Sequence, residues 1–115
     1  MASQEITLNE LDDLITNHED VVIVDVRERE EYATGHIPGS LIVPVGSIEH
    51  AIDEESIARD DDLLGARHGA VILICDDGTR SRNAANQLAN SGFDTVYWLA
   101  DGLKQWREAG FPLVN

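Results

Sequence analysis

Residues 71–81 of the chain read VILICDDGTRS. The first four form a continuous apolar run of strand length between Gly69 and Gly78, and residues 81–91 then predict a helix that ends at Gly92. A strand that is apolar at every position is expected to be covered on both of its faces. This segment therefore predicts a strand at the centre of a sheet, with helices on both sides.

The alternation of short apolar runs with amphipathic stretches continues along the chain. Further strands are predicted at a short segment ending at Ile6 and at residues 21–25, 41–43 and 95–98. Further helices are predicted at residues 8–15, 28–33, 47–58 and 103–109, and an exposed loop at residues 60–62. Thr7 and Glu10 predict a capping box at the start of the first helix, and Ile57 is expected to face inward.

This pattern predicts a three-layer α/β domain with a mostly parallel five-stranded sheet and helices on both faces. Right-handed crossovers place the carboxyl ends of parallel strands along one edge of the sheet. Asp25 and Cys75 each end a predicted strand, so both are expected at this edge, which is where ligands bind in such folds.

The chain has 115 residues, of which 43% are hydrophobic and 26% charged. This composition predicts one globular domain over residues 1–115 and excludes a disordered chain, a coiled coil and a multidomain assembly. The apolar runs are far too short to span a membrane. The first residues lack the basic and apolar regions of a secretory signal, so we expect the protein in the cytoplasm.

The charge of the chain is strongly negative. Twenty-two acidic residues against eight basic ones give a formal net charge of −14 at pH 7, and Lys104 is the only lysine. A field of this sign repels nucleic acid and anionic lipid, so neither nucleic acid nor a membrane is expected as a partner. Two explanations of the acidity stay open, a gain in solubility and adaptation to high salt.

Cys75 is the only cysteine, so the chain can form no internal disulfide and no cysteine-based zinc cluster, and no metal site is predicted. A lone cysteine is usually a buried hydrophobic residue, but the residues that follow Cys75 favour a catalytic role.

The loop after Cys75 is expected to form a cradle for the sulfur. Gly78 permits a tight turn, and a curled loop directs successive N–H groups inward. Together with the dipole of the following helix, these groups are expected to hold the sulfur as a thiolate, the nucleophilic form. Arg80 supplies a fixed cation at the rim.

Four segments resemble the signatures of the rhodanese family of sulfurtransferases, in order and at the expected spacing. They are residues 24–28 (VDVRE), 35–40 (GHIPGS), 75–81 (CDDGTRS) and 102–106 (GLKQW). The resemblance is to a single-domain rhodanese and extends from about residue 6 to residue 114, which is nearly the whole chain.

The resemblance implies a sulfurtransferase with Cys75 as its catalytic residue. Cys75 would take the sulfane sulfur of a donor (thiosulfate, a persulfide or a polysulfide) and carry it as a cysteine persulfide to a thiophilic acceptor, cyanide in an assay or a thiol in the cell. A sulfur-relay protein is a further candidate partner, and no cofactor is implied. The implied substrate-binding residues are Asp76, Asp77, Gly78, Thr79, Arg80 and Ser81, with Asp25 and Arg27 in support.

The length of the loop separates this chain from the cysteine phosphatases that share the rhodanese fold. Four residues lie between Cys75 and Arg80, whereas those phosphatases place five there, and the longer loop widens the cradle for a phosphate. Residue 74 is isoleucine, where those enzymes have histidine. Two alternatives stay open: a catalytically weak rhodanese-like module that binds a partner through its acidic surface, and a persulfide relay in sulfur trafficking.

Asp76 and Asp77 depart from the family pattern, because thiosulfate-using members often carry a basic residue directly after the cysteine. Two carboxylates oppose a thiolate and an incoming dianion, so thiosulfate is expected to be a poor substrate. Since the loop amides are expected to point inward, both Asp side chains are expected to point to solvent. A second departure is Asp101, which stands where the family often has the first of two glycines, and we expect the turn to tolerate it.

Other residues have structural and functional interpretations. Asp25 and Arg27 are expected to form a salt bridge or turn hydrogen bonds that hold the loops, rather than to contact substrate. Ser81 is either a helix N-cap or a hydroxyl donor to sulfur, and His36 is expected to bond the backbone in a turn. We expect His18, His50 and His68 on the surface, Trp98 and Trp106 in packing, and residues 28–31 on a solvated helix face.

Overall fold

The computed structural model describes residues 3–17 and 20–115, and His18 lies outside the described residues. The core of the structure is a five-stranded sheet in which every strand pairing is parallel, in the order β1-β5-β4-β2-β3. The strands are β1 (Gln4–Ile6), β2 (Val21–Asp25), β3 (Leu41–Ile42), β4 (Ala70–Ile74) and β5 (Thr95–Leu99). The helices are α1 (Leu8–Thr16), α2 (Arg29–Ala33), α3 (Ile48–Ala51), α4 (Asp61–Gly65), α5 (Thr79–Asn90) and α6 (Gly102–Glu108), with a 3-10 turn at Val45–Ser47.

The central strand β4 packs on both of its faces, as its uninterrupted apolar sequence predicts. Leu73 belongs to a buried cluster that includes residues of α3, α4 and α5. Ile72, its neighbour in the strand, belongs to a second cluster that includes Leu11 of α1 and Trp106 of α6. Successive side chains of a strand point to opposite faces, so one apolar run builds both cores. The three-layer α/β prediction is confirmed.

The pairing of β2 with β4 brings two candidate site residues to the same edge. The register runs from Val21 opposite Ala70 to Asp25 opposite Ile74, and the Val26 N–H then donates to the Ile74 carbonyl at 2.8 Å. Cys75 therefore leaves the sheet beside Asp25, at the carboxyl edge, as the alternation of strands and helices predicts.

The prediction of one helix over residues 47–58 is wrong. Only the short helix α3 forms there, and a series of turns follows it. In those turns Asp53 Oδ1 accepts a hydrogen bond from the Glu55 N–H, and Ser56 Oγ accepts one from the Ala58 N–H, each at 3.0 Å. Such local bonds satisfy the backbone without a helix. Ile57, predicted to face inward, is fully exposed in this segment.

The acidic run 60–62, predicted to be a loop, is instead the start of helix α4. Asp60 is its N-cap, and Asp60 Oδ1 accepts a hydrogen bond from the Leu63 N–H at 3.0 Å. Asp61 and Asp62 lie in the first turn, where negative charge interacts favourably with the helix dipole. The predicted capping box of α1 is confirmed, with Thr7 and Glu10 bonding reciprocally.

Across the described ranges, we find no helix with the length and apolar character needed to cross a lipid bilayer.

Candidate active site

The loop that carries Cys75 is held in place through its carbonyl groups. The Cys75 carbonyl accepts a hydrogen bond from the Leu103 N–H at 2.9 Å, and the Asp76 carbonyl accepts one from the Lys104 N–H at 3.1 Å. Both donors lie in the first turn of α6, where N–H groups have no partner within the helix. These two hydrogen bonds anchor the start of the loop against α6.

Two glycines permit this close approach of the loop to the β5–α6 turn. Gly78 has a φ of +91°, and a Cβ atom there would lie 2.5 Å from the Ala100 carbonyl oxygen. Gly102 has a φ of +77°, and its Cβ would overlap the Asp76 carbonyl oxygen. The expected departure at Asp101 causes no conflict, since this residue is exposed, whereas Gly102 could not carry a side chain.

The sulfur of Cys75 lies in a cradle of hydrogen-bond donors. The Gly78 N–H donates to Sγ at 3.1 Å, and the Ser81 N–H donates to Sγ at 3.3 Å. Ser81 Oγ lies 3.4 Å from Sγ and donates to the Gly78 carbonyl at 3.1 Å. N–H groups that converge on sulfur stabilise its negatively charged form. The predicted inward orientation of the loop amides is confirmed at these two positions.

The cradle closes over the sulfur. Cys75 has no exposed surface and also belongs to the cluster beneath α5. Ser81, equally buried, is the third residue of α5. The helix begins at Thr79 with Gly78 at the N-cap position, two residues earlier than predicted, so the N-cap interpretation of Ser81 is wrong. Because the sulfur is covered, a donor molecule reaches it only after the atoms that cover it move.

The expectation that Asp76 and Asp77 both point away to solvent is wrong in part. Asp77 is exposed, but its Oδ1 accepts the Thr79 N–H at 3.0 Å and lies 3.9 Å from Sγ of Cys75. The Thr79 hydrogen bond, with a smaller contribution from the charge of Arg80, lowers the pKa of the Asp77 carboxyl group. Asp76 is half-buried. The loop therefore holds one carboxylate directly against the sulfur.

Arg80 is bound by a carboxylate that the sequence analysis placed on a solvated face. Its Nη1 donates to Glu31 Oε1 at 2.7 Å, and its Nη2 donates to Glu31 Oε2 at 3.0 Å. Arg80 lowers the pKa of Glu31 from its usual value of 4.5 to about 2, and Glu31 in turn raises the pKa of Arg80. The rim cation is thus half of an ion pair that joins α2 to α5. Predicting this pair would have required the strand order, because the pairing of β2 with β4 brings together the helices that follow these strands.

Asp25 and Arg27 form a buried ion pair at the end of β2, as expected. Their side chains are only 1% and 2% exposed, and Arg27 Nη2 donates to Asp25 Oδ2 at 2.8 Å. The same nitrogen donates to the Gly35 carbonyl at 2.8 Å, which ties the strand end to the turn after α2. A pair this enclosed holds the loops that surround the cradle.

A family model for the rhodanese-like domain matches residues 7–109 of this chain. The chain belongs to the rhodanese-like domain family. The thiosulfate sulfurtransferase GlpE of Pseudoalteromonas translucida is 32% identical to it over 109 residues, which cover 95% of this chain and 93% of GlpE. The putative sulfur carrier protein YrkF of Bacillus subtilis is 32% identical over 102 residues, which cover 89% of this chain and 50% of YrkF.

Two solved structures superpose closely on this rhodanese-like domain. The human single-domain sulfurtransferase TSTD1 has a TM-score of 0.79 at 28% identity, covering 93% of this chain and 97% of TSTD1. A Rhodopseudomonas palustris protein, described as of unknown function and as a "Possible Tyrosine Phosphatase", has a TM-score of 0.89 at 30% identity, covering 97% and 85%. The family resemblance read from the four segments is confirmed.

The remaining aromatic and histidine residues of the rhodanese-like domain have structural contacts. The His36 ring stacks on Tyr32 at 3.7 Å, and its Nδ1 lies 3.0 Å from the Tyr32 carbonyl oxygen, as expected of a turn residue. Trp106 is buried, and Trp98 is half-buried under Arg82. His50 and His68 are exposed, as expected, although His68 also pairs with Asp94.

Proposed function

We propose that this protein is a rhodanese-type sulfurtransferase that carries sulfur as a persulfide of Cys75, within one functional domain over residues 1–115. The observation that carries the proposal is the convergence of the Gly78 and Ser81 N–H groups on Sγ. A ring of this size suits a single sulfur atom that bears negative charge. Gly78, Thr79, Arg80 and Ser81 form the cradle or its rim, and Asp25 and Arg27 support it.

The reaction has two steps. In the first, the Cys75 thiolate forms an S–S bond to the sulfane sulfur of a donor, whose own bond to that sulfur breaks, and the leaving group takes the electron pair. The leaving group is sulfite from thiosulfate, a thiolate from an alkyl persulfide, and hydrosulfide or a shorter polysulfide from a polysulfide. In the second, a thiol, or cyanide in an assay, attacks the outer sulfur, and Cys75 leaves as the thiolate. Each step needs only the cysteine and its cradle.

The names of three of the similar proteins support sulfur transfer in general, whereas the Rhodopseudomonas palustris protein is described as a possible tyrosine phosphatase. GlpE is a thiosulfate sulfurtransferase and TSTD1 a sulfurtransferase. YrkF, a putative sulfur carrier protein, favours a second candidate function, in which the Cys75 persulfide passes its sulfur to a relay protein instead of a small thiol. The carboxylate of Asp77, 3.9 Å from the sulfur, favours slow turnover of thiosulfate in either case.

Two other functions receive less support. A phosphatase needs room in the cradle for a phosphate and its oxygens, whereas this loop has four residues between Cys75 and Arg80 and holds a carboxylate 3.9 Å from the sulfur. A module that only binds a partner through its acidic surface has no use for N–H groups aimed at a buried cysteine. The acidity of the chain also disfavours nucleic acid and anionic membranes as partners.

Intact-mass spectrometry tests the proposal. After exposure to thiosulfate or sodium disulfide, the wild-type protein should gain the mass of one sulfur atom and lose it again when a thiol or cyanide is added. Cys75→Ser should gain nothing, and its circular dichroism spectrum should match that of the wild type. A wild-type protein that stays unmodified with every donor would exclude sulfur transfer and favour the binding module.

A further inference from the structure

Asp77 places a permanent negative charge beside the reacting sulfur. Its Oδ1 lies 3.9 Å from Sγ of Cys75 and is fixed there by the Thr79 N–H at 3.0 Å. A carboxylate that accepts a backbone N–H at the start of a helix keeps its charge and its position. Asp77 is also exposed, so its carboxylate contacts both the sulfur and the solvent.

Asp76, its neighbour in sequence, occupies a different place. Its side chain is half-buried and lines a separate cleft of about 330 Å³, together with Arg27, Glu31 and Arg107. That cleft also contains Glu30, and its Arg27 is already paired with Asp25. Asp77, by contrast, lies against the sulfur itself. The two acids therefore form a natural comparison: the same charge, one residue apart, with only Asp77 placed to act on an approaching donor.

We propose that Asp77 is a specificity-determining residue that selects sulfur donors by charge. This inference rests on the proposed function and names the donor class. The favoured donors carry at most one negative charge on the sulfur chain, such as an alkyl hydropersulfide or the hydrogen disulfide ion, and the disfavoured donor is dianionic thiosulfate.

The favoured transfer balances without an oxidant or a reductant. The Cys75 thiolate forms an S–S bond to the outer sulfur of R–S–S–H, the donor's S–S bond breaks, and its electron pair stays with R–S. The proton of the outer sulfur moves to R–S, so the products are the Cys75 persulfide anion and R–S–H. This transfer therefore brings no negative charge to the site beyond that of the thiolate.

The size of the discrimination is worked out for a donor charge that comes as close to Asp77 as Sγ does, 3.9 Å. Two unit charges about 4 Å apart in a water-like dielectric interact by an amount that corresponds to roughly a fivefold change in rate. The repulsion energy between Asp77 and a dianionic donor is therefore about twice that for a monoanionic donor. Removing the Asp77 charge should therefore raise the thiosulfate rate relative to the hydrogen disulfide rate by about fivefold.

The test compares Asp77→Asn with Asp76→Asn, since each removes one charge from the same loop. Asparagine keeps an oxygen that accepts the Thr79 N–H, so the loop geometry is preserved in the first variant. Single-turnover formation of the Cys75 persulfide is followed by intact mass, with thiosulfate and with sodium disulfide at neutral pH. The measured quantity is the ratio of the two rates, thiosulfate over disulfide, at low and at high salt.

We expect this ratio to rise about fivefold in Asp77→Asn and to change less than about twofold in Asp76→Asn. Added salt should raise the ratio of the wild type and affect that of Asp77→Asn less, because screening weakens the repulsion. An unchanged ratio in Asp77→Asn, or an equal rise in Asp76→Asn, would overturn the inference while leaving sulfur transfer intact. A wild-type protein that takes sulfur from neither donor would overturn the proposed function and this inference with it.

Discussion

Glu31→Gln tests whether the ion pair with Arg80 stabilises the contact between α2 and α5. Glu31 and Arg80 make two hydrogen bonds, at 2.7 and 3.0 Å, and their side chains are 36% and 33% exposed. Glutamine keeps the shape of the side chain and an oxygen that accepts the Glu28 N–H in the capping box of α2. The substitution therefore removes the charge and leaves the local helix start in place.

The expected loss of stability is moderate. Unit charges about 4 Å apart interact by about 1 kcal/mol in water and about 4 kcal/mol near a protein surface. Since both partners are about one-third exposed, solvent screening and side-chain ordering reduce the net contribution to about 1–2 kcal/mol. We expect the free energy of unfolding of Glu31→Gln to fall by this amount at pH 6.

The stability difference between wild type and Glu31→Gln should depend on pH in a defined direction. The pKa of Glu31 is lowered from 4.5 to about 2 in the folded protein. A carboxyl group whose pKa is lowered by folding contributes stability above its unfolded pKa and loses that contribution as the pH falls toward its folded pKa. The difference between wild type and Glu31→Gln should therefore be complete at pH 6 and should have fallen by more than half at pH 3, as measured by urea unfolding with tryptophan fluorescence.

Glu30→Gln is the matched control, because Glu30 is an exposed residue of the same helix. We expect it to change the free energy of unfolding by less than about 0.5 kcal/mol, with no trend between pH 6 and pH 3. If Glu31→Gln loses the same amount at both pH values, or no more than Glu30→Gln, then the pair with Arg80 is not the source of the stability.

Two further predictions concern the supports of the loop and are measured by urea unfolding. Gly102→Ala places a Cβ against the Asp76 carbonyl and should lower the free energy of unfolding by at least about 2 kcal/mol. Gly92→Ala, at a similar φ but in open space, should lower it by about 1 kcal/mol. Equal losses of stability in the two variants would refute the role of the contact with Asp76. Asp25→Asn leaves the Arg27 charge buried without its partner and should lower the free energy of unfolding by about 3–5 kcal/mol. Arg59→Gln, which breaks an exposed ion pair, should lower it by less than about 1 kcal/mol. Comparable losses of stability in the two variants would contradict the importance of burial.

The sheet could be predicted from the sequence because each central strand is apolar at every position. Residues 21–24 and 71–74 can be stable only when covered on both faces, and that requirement fixes the three layers. The region after β3 could not be predicted in the same way. The spacing of its apolar residues is that of a helix, but the side chains of Asp53 and Ser56 accept hydrogen bonds from the backbone of the residues that follow. Such local hydrogen bonds compete with helix formation, and the spacing of apolar residues does not reveal them.

Some features of the site could likewise be predicted from the sequence, and others could not. Inward amides follow from a short loop between a buried strand and a helix, so Gly78 and Ser81 could be anticipated as donors to Cys75. The orientation of Asp77 depends on one hydrogen bond, to the Thr79 N–H, and the general preference of a carboxylate for solvent gives no hint of it. The Glu31–Arg80 pair depends on strand order, which the sequence does not state.

The geometry of the cradle also explains why α6 belongs to the site. Backbone carbonyls that are removed from water need hydrogen-bond partners. The N–H groups of Leu103 and Lys104 provide those partners for Cys75 and Asp76. The last helix thus anchors the first two residues of the Cys75 loop through its backbone, and its approach depends on the lack of a side chain at Gly102. The segment 102–106 is therefore a functional signature for a physical reason: it orients the loop whose amides hold the sulfur.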